Sequence, residues 1–204
     1  MPTGVAIRDV REQLFDAAER VLLRDGPSAL TSRAVTDEAD VAKGVLHRHF
    51  DDFDAFLAEF VLDRVNRMDV QAAALRETAG TGTVIDNIAG ALTAVFQSVA
   101  VAIVPLVTFR TQLRVRLRRA WPAGVPVLTE AAIMIAEYLT AERDLGRISA
   151  SVEPQGLAPM LIGTGHLLFA DRTNQPDAAT LRKMVNDVVG AYLTASVPRR
   201  KSGN

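Results

Sequence analysis

The sequence predicts an all-α fold of about nine helices, a three-helix head at the N-terminus followed by a larger helical bundle. Three observations carry this. No segment shows the strict alternation with β-branched residues that a half-buried strand requires, whereas Ala, Leu, Arg and Glu are abundant. Apolar residues recur at helical spacing, as in Val10, Leu14, Ala17, Ala18, Val21 and Leu22. The breaks fall at turn-forming stretches such as Asp25-Gly26-Pro27-Ser28, Ala79-Gly80-Thr81-Gly82-Thr83 and Trp121-Pro122-Ala123-Gly124-Val125-Pro126.

The first helix spans residues 8–24 and is stopped by Asp25-Gly26-Pro27-Ser28. Residues 30–50, LTSRAVTDEADVAKGVLHRHF, read as two short helices joined by a tight turn. Thr31 is the N-cap of the first, its hydroxyl taking up an orphan backbone N–H. Ala34, Val35 and Ala39 mark that helix's inner face, and the periodicity breaks at Ala39-Asp40-Val41, where Asp tolerates a left-handed position. The second starts near Ala42, with Leu46 and Phe50 one turn apart facing inward. Lys43 with His47, and Gly44 with Arg48, are i,i+4 pairs pointing the other way. A short helix with a basic, hydrogen-bonding outer face behind a helix and a turn is the helix-turn-helix solution to entering a DNA major groove.

Residues 53–78 read as a long connecting helix with Phe56, Leu57, Phe60, Val61, Val65 and Met68 inside, capped by Asp52. Residues 84–104 form a buried helix, which Pro105 separates from or kinks into a segment reaching residue 120. Helices at 127–145, 154–171 and 177–196 follow, divided by Gly146 and by Asn174-Gln175-Pro176. The polar tail 198–204 is expected to be disordered.

Composition excludes several classes. With 204 residues, 49% of them hydrophobic, the chain can build one large core or two small ones. The absence of cysteine excludes disulfides, thiolate catalysis and Cys-based zinc sites and fits a reducing cytoplasm, where the protein is placed. The first residues lack the apolar run of a signal peptide. No nucleophile–base pair or metal constellation is apparent, so neither enzymatic activity nor a cofactor is expected. His47 and His49 diverge on a helix, and Gly163-Thr164-Gly165-His166 lacks the third glycine and the preceding strand of a nucleotide loop. Residues 88–109 contain no charge and are followed by arginines, which resembles a membrane span; Thr93, Gln97, Ser98, Pro105 and the need for a central buried helix favour a core segment. Over residues 1–53, seven Lys and Arg face ten Asp and Glu, a net charge of −3. Phosphate neutralisation supplies most non-specific DNA affinity. Affinity here must come from a few well-placed groups and from dimerisation.

Arg11-Glu12-Gln13-Leu14-Phe15-Asp16-Ala17-Ala18, Gly26, Leu30-Thr31-Ser32-Arg33-Ala34-Val35, Lys43-Gly44-Val45-Leu46, His49-Phe50 and Ala55-Phe56-Leu57 occur in an order that resembles the TetR-like family of one-component transcriptional regulators. The resemblance covers about the first quarter of the chain; the rest matches the family in length and helical character only. It implies a DNA-binding domain at 1–53 and an effector-binding and dimerisation domain at 54–197. It further implies a homodimer formed through the last two helices. Such a dimer binds a near-palindromic operator, most directly as a repressor, and is released by a small hydrophobic or amphipathic effector. Leu157, Met160, Leu161, Leu167 and Leu168 on one helix and Leu181, Met184, Val185, Val188, Val189 and Leu193 on the other suit the dimer role, or a core face within one subunit. A second class of function stays open: an all-helical ligand-binding or scaffolding protein whose head no longer reads DNA.

The resemblance places DNA contacts at Thr31, Ser32, Arg33, Lys43, Gly44, His47, Arg48 and His49. Arg33 can serve guanine acceptors or simply pair with Asp37. Lys43 opens the recognition helix, and Gly44 can let the backbone approach DNA closely. His47 stands where the family most often has tyrosine, Arg48 lies on the exposed side, and His49 either braces the fold or touches phosphate. Phe53 departs from a phosphate-binding lysine, and Asp51 and Asp52 before it repel phosphate. For the effector, Phe96, Phe109, Leu113, Met134, Tyr138 and His166 are the candidates, the last two because a buried hydroxyl or imidazole needs a partner. Arg110, Arg114 and Arg118 recur every four residues, joined by Arg116 and Arg119. They form a solvated face, a site for an acidic effector, or salt bridges toward the reading head.

Overall fold

The computed structural model describes residues 7–122, 124–171 and 174–194. It is all-α, as the periodicity predicts. Eleven α-helices occur among the described residues: α1 Ile7–Asp25, α2 Ser32–Glu38, α3 Gly44–His49, α4 Phe53–Asn66, α5 Met68–Glu77, α6 Val84–Phe96, α7 Ala100–Phe109, α8 Thr111–Leu117, α9 Pro126–Asp144, α10 Pro154–Phe169 and α11 Ala178–Val189. β-Pairing among them is limited to an isolated bridge between Ile148 and Leu193. The tail expected to be disordered lies outside the described residues.

The helices outnumber the expected nine because two long segments are broken. Arg67 interrupts 53–78, dividing α4 from α5. The segment 84–104 breaks at Gln97-Ser98-Val99, where the Ser98 hydroxyl donates to the Val95 carbonyl at 2.5 Å and accepts from the Ala100 N–H at 3.2 Å, diverting the helical ladder. Pro105 lies inside α7, which ends instead at Arg110, an extended residue. The last helix stops at Val189 rather than 196. There Ser149 N–H donates to the Tyr192 carbonyl (2.8 Å) and Thr194 N–H to the Arg147 carbonyl (3.0 Å), drawing the chain into the bridge.

The chain divides into two compact units. One comprises Met1–Met68 with Val95–Glu130, the other Asp69–Ala94 with Ala131–Asn204. The first is built on an aromatic cluster: Phe15, Phe50, Phe56 and Phe60 are buried, and the Phe56 ring lies 5.0 Å from Phe50 and 5.6 Å from Phe15. Arg64, buried beneath it, pairs with Asp16, Glu19 and Asp63. In the second unit α10 packs against α11, and Leu161, Ile162 and Phe169 of the one and Leu181, Val185 and Val189 of the other are buried. No single described helix is long and apolar enough to cross a membrane.

Glu38 ties α2 to α1, accepting from Arg20 Nε and Arg24 Nη1, each at 2.7 Å. The Arg20 hydrogen bond, then that of Arg24, holds its carboxyl below the usual range near 4.5. A depressed carboxyl adds stability above its unfolded-state value and loses it as pH falls through the folded-state value. Acidification below about pH 4 should therefore loosen α2, and Glu38→Gln should flatten the low-pH fall of the urea midpoint. An equally steep fall in the variant would assign the acid sensitivity elsewhere.

Candidate nucleic-acid interface and ligand pocket

The turn between α2 and α3 is set by local hydrogen bonds. Thr31 Oγ1 accepts from Ala34 N–H at 3.1 Å, opening α2 as its residue type predicts. Asp40 takes the left-handed conformation (φ 52°), the one non-glycine residue to do so among those described. Val41 N–H then reaches the Thr36 carbonyl at 3.1 Å, and Gln13 Nε2 donates to the Ala39 carbonyl at 2.7 Å, holding the turn on α1.

This geometry buries Leu46 and Phe50 and leaves Lys43, Gly44, His47 and Arg48 exposed on one side of α3. A Cβ at Gly44 would touch nothing in the protein, so internal packing does not require glycine there. Thr31 and Arg33 are exposed and Ser32 half-buried at the start of α2. Arg33 Nε lies 3.4 Å from Asp37 with its side chain 76% exposed, a pairing weak enough to exchange for another anion. His49 is half-buried, its ring 6.5 Å edge-on from Phe50 and its carbonyl accepting from Arg11 Nη1 at 3.4 Å. Arg11 also lies 4.5 Å over the Phe50 ring and pairs with Glu59, so it clamps the end of α3.

Two of the acids beside α3, Asp52 and Asp54, are neutralised by arginines at and within α8. Asp52 caps α4 through Ala55 N–H at 2.7 Å, and its other oxygen receives Arg116. Arg110 pairs with Asp54 at 2.9 Å and covers the Phe53 ring at 5.4 Å; Phe53 in turn stacks on Phe56 at 5.6 Å. Of the three readings of these arginines, salt bridges toward the head describe Arg110 and Arg116. Arg114 bonds the Thr108 carbonyl at 3.0 Å, and Arg118 and Arg119 are exposed. Arg116 stands beside the three-arginine row rather than in it, and a pairing 64 residues apart leaves no local signal of which arginine would reach the head.

The second unit holds a pocket of about 350 Å³ lined by Gln71, Ala74 and Leu75 of α5, Thr78 just beyond it, Asp86, Asn87, Gly90, Ala91 and Ala94 of α6, and Met134 of α9. Behind it stands a buried polar network. Tyr138 donates to Glu142 Oε1 at 2.5 Å and accepts from Asn87 Nδ2 at 2.9 Å. Burial, then the Glu142 carboxylate, pushes the Tyr138 phenol above its ordinary value. Gly146 (φ 73°) ends α9, and Arg147 N–H bonds back to the Glu142 carbonyl at 2.9 Å, a Schellman closure that returns Arg147 to the buried carboxylate. Its guanidinium reaches Glu142 at 3.4 Å and the Gly82 carbonyl at 2.7 Å.

Residues 14–60 match the family model described as bacterial regulatory proteins, tetR family. The N-terminal head is TetR-like. Reduced NemR of E. coli superposes with a TM-score of 0.72 at 16% identity, covering 93% of this chain and all of that one. A TetR transcription regulator from Haloarcula marismortui gives 0.69 at 16%, covering 92% and 100%. GusR of Salmonella enterica gives 0.66 at 17%, covering 91% and 98%. At these identities the likeness establishes the fold. No curated protein sequence matches this one significantly.

Within this TetR-like fold the residues expected at an effector site are dispersed. Met134 lines the pocket, and Tyr138 stands one hydrogen bond behind it, satisfied by Asn87 and Glu142 rather than waiting for a ligand. Phe96 and Leu113 are buried in the first unit, and Phe109 is 82% exposed, because α7 ends there and turns it out of the core. His166, half-buried on α10, does not line this pocket. Asp86 and Asn87 line the pocket without any signal in the sequence, since a polar pair in the first turn of a helix looks like an ordinary helix start.

Proposed function

We propose that this TetR-like protein is a non-enzymatic, homodimeric, ligand-responsive transcriptional regulator of the cytoplasm, most directly a repressor. Residues 1–53 bind DNA, and 54–197 bind the effector and the second subunit. The observation that carries this is α3, which hides Leu46 and Phe50 and offers Lys43, Gly44, His47 and Arg48 together. Thr31, Ser32 and Arg33 complete the contact set from α2, with His49 at its edge. Two heads then enter successive major grooves about 34–36 Å apart. The ion pairs of Arg110 and Arg116 offset the repulsion that Asp54 and Asp52 would exert on phosphate.

For the dimer, α10 supplies the apolar surface. Met160 and Leu167 are 57% and 76% exposed, and Gly163 lies between them, whereas Leu181, Met184, Val185 and Val189 of α11 are buried within the subunit. The pocket along α6 is the effector site, and release follows when its ligand prefers the dimer whose heads no longer match the operator spacing.

The test is titration of a duplex from the gene's own upstream region at two salt concentrations. Selective, salt-sensitive binding is expected. Arg33→Ala and Lys43→Ala should each cost about 1–3 kcal/mol per head with the dimer intact. Unchanged binding in both variants would favour the second reading, a ligand-binding or scaffolding protein with a degenerate head, to which the acidic balance of residues 1–53 points.

A further inference from the structure

The pocket runs along α6 from Asp86 and Asn87, in its first turn, to Ala91 and Ala94 toward its end, about 10–12 Å at 1.5 Å per residue. Around Ala94 the lining is methyl groups and the bare backbone of Gly90, where a Cβ would meet nothing. The Asp86 end is polar, and what it offers is acceptors. The Asn87 amide nitrogen donates to the Thr78 carbonyl (3.3 Å), the Thr81 carbonyl (2.9 Å) and the Tyr138 hydroxyl. Two carbonyl acceptors fix which end of the amide is nitrogen. Its Oδ1 receives no hydrogen bond among the described residues. The Thr78 hydroxyl already donates to the Leu75 carbonyl at 2.7 Å. Asp86 is a carboxylate that the Thr83 hydroxyl, then Arg182, holds below the ordinary range. No Lys or Arg is among the lining residues, although Arg182 reaches the Asp86 carboxylate from α11; Gln71 is the lining side chain whose amide is left to donate.

We infer that the pocket takes a cationic amphiphile, its ammonium between Asp86 and the Asn87 Oδ1 and its apolar body lying along α6 toward Ala94. This rests on the pocket being the effector site. A carboxylate head of the same length would meet acceptors and a like charge. The ammonium competes with Arg182 Nε, which lies 2.6 Å from Asp86 Oδ1 and belongs to α11. Seating the ligand thus loosens the ion pair joining α6 to the last helix.

Calorimetric titration of the full chain with n-octylammonium, 1-octanol and octanoate tests this. Octylammonium should bind at least about tenfold tighter than octanoate, since a charge-assisted hydrogen bond replaces a repulsion. Asp86→Asn should weaken octylammonium about tenfold while leaving 1-octanol unchanged. Arg182→Gln, which removes the competitor and keeps the carboxylate, should strengthen octylammonium and covers the case in which Asp86→Asn fails to fold. Equal or tighter octanoate binding, no octylammonium binding, or weaker octylammonium binding to Arg182→Gln would each overturn the inference. Selective binding that fails to release the operator duplex would uphold the ligand class and overturn the placing of the effector site in this pocket; release by octanoate as readily as by octylammonium would do the reverse.

Discussion

Glu142→Ala is expected to destabilise the second unit by about 3–5 kcal/mol, the cost of breaking a buried charged network by removing one partner. Glu142 is 0% exposed and accepts from the Tyr138 hydroxyl at 2.5 Å, Gly80 N–H at 3.3 Å and Arg147 at 3.4 Å. Alanine leaves all three donors facing a void, with Arg147 still tethered to the Thr81 and Gly82 carbonyls. Glu142→Gln keeps an acceptor for Tyr138 but not the charge opposite Arg147, so it should lose less. The readout is the midpoint of urea unfolding, displaced by about 1 M or more for a slope of 1–3 kcal/mol/M. The network also braces Asn87, so octylammonium affinity should fall in Glu142→Ala even at temperatures where it is folded. A stability loss below about 1 kcal/mol would mean that water reaches the carboxylate, and the brace would then be dispensable.

What the sequence disclosed and what it hid divide along range of interaction. Thr31, Asp40 and Asp52 act on backbone groups within three residues of themselves, and each does what its residue type predicts. The inward Leu46 and Phe50 and the outward Lys43 and Arg48 follow from one turn of helix, so the face of α3 was legible. The break at Ser98 was not, because a serine in an apolar run competes for a helical carbonyl only where packing lets the ladder bend. Of the two effects expected of Pro105, separation does not occur, since α7 contains it and continues to Phe109. The pocket was least legible. Tyr138 is satisfied by Asn87, 51 residues away, and Asp86 by Arg182, 96 residues away. Phe53, a departure from the basic residue that the TetR resemblance leads one to expect, has a structural use as the platform between Phe56 and Arg110. Phe53 is thus covered by the same arginine, Arg110, that neutralises Asp54.

Phe56→Ala should separate the two activities proposed for the chain. The ring is fully buried, 5.0 Å from Phe50 edge-on, 5.6 Å from Phe15 and stacked 5.6 Å from Phe53. Truncation removes its transfer energy and leaves a cavity, about 3–5 kcal/mol in all. Phe50 closes α3 and Phe53 opens α4, so the cavity opens at the joint that orients the recognition helix. Operator affinity should collapse and the amides of α3 should lose exchange protection. Octylammonium binding should persist, because no pocket-lining residue belongs to the aromatic cluster. Phe56→Leu, which refills most of the volume, should restore part of the DNA binding. If Phe56→Ala bound the operator normally, α3 would be oriented by the Arg11 clamp over Phe50 and by Gln13 on Ala39, and the cluster would serve stability alone.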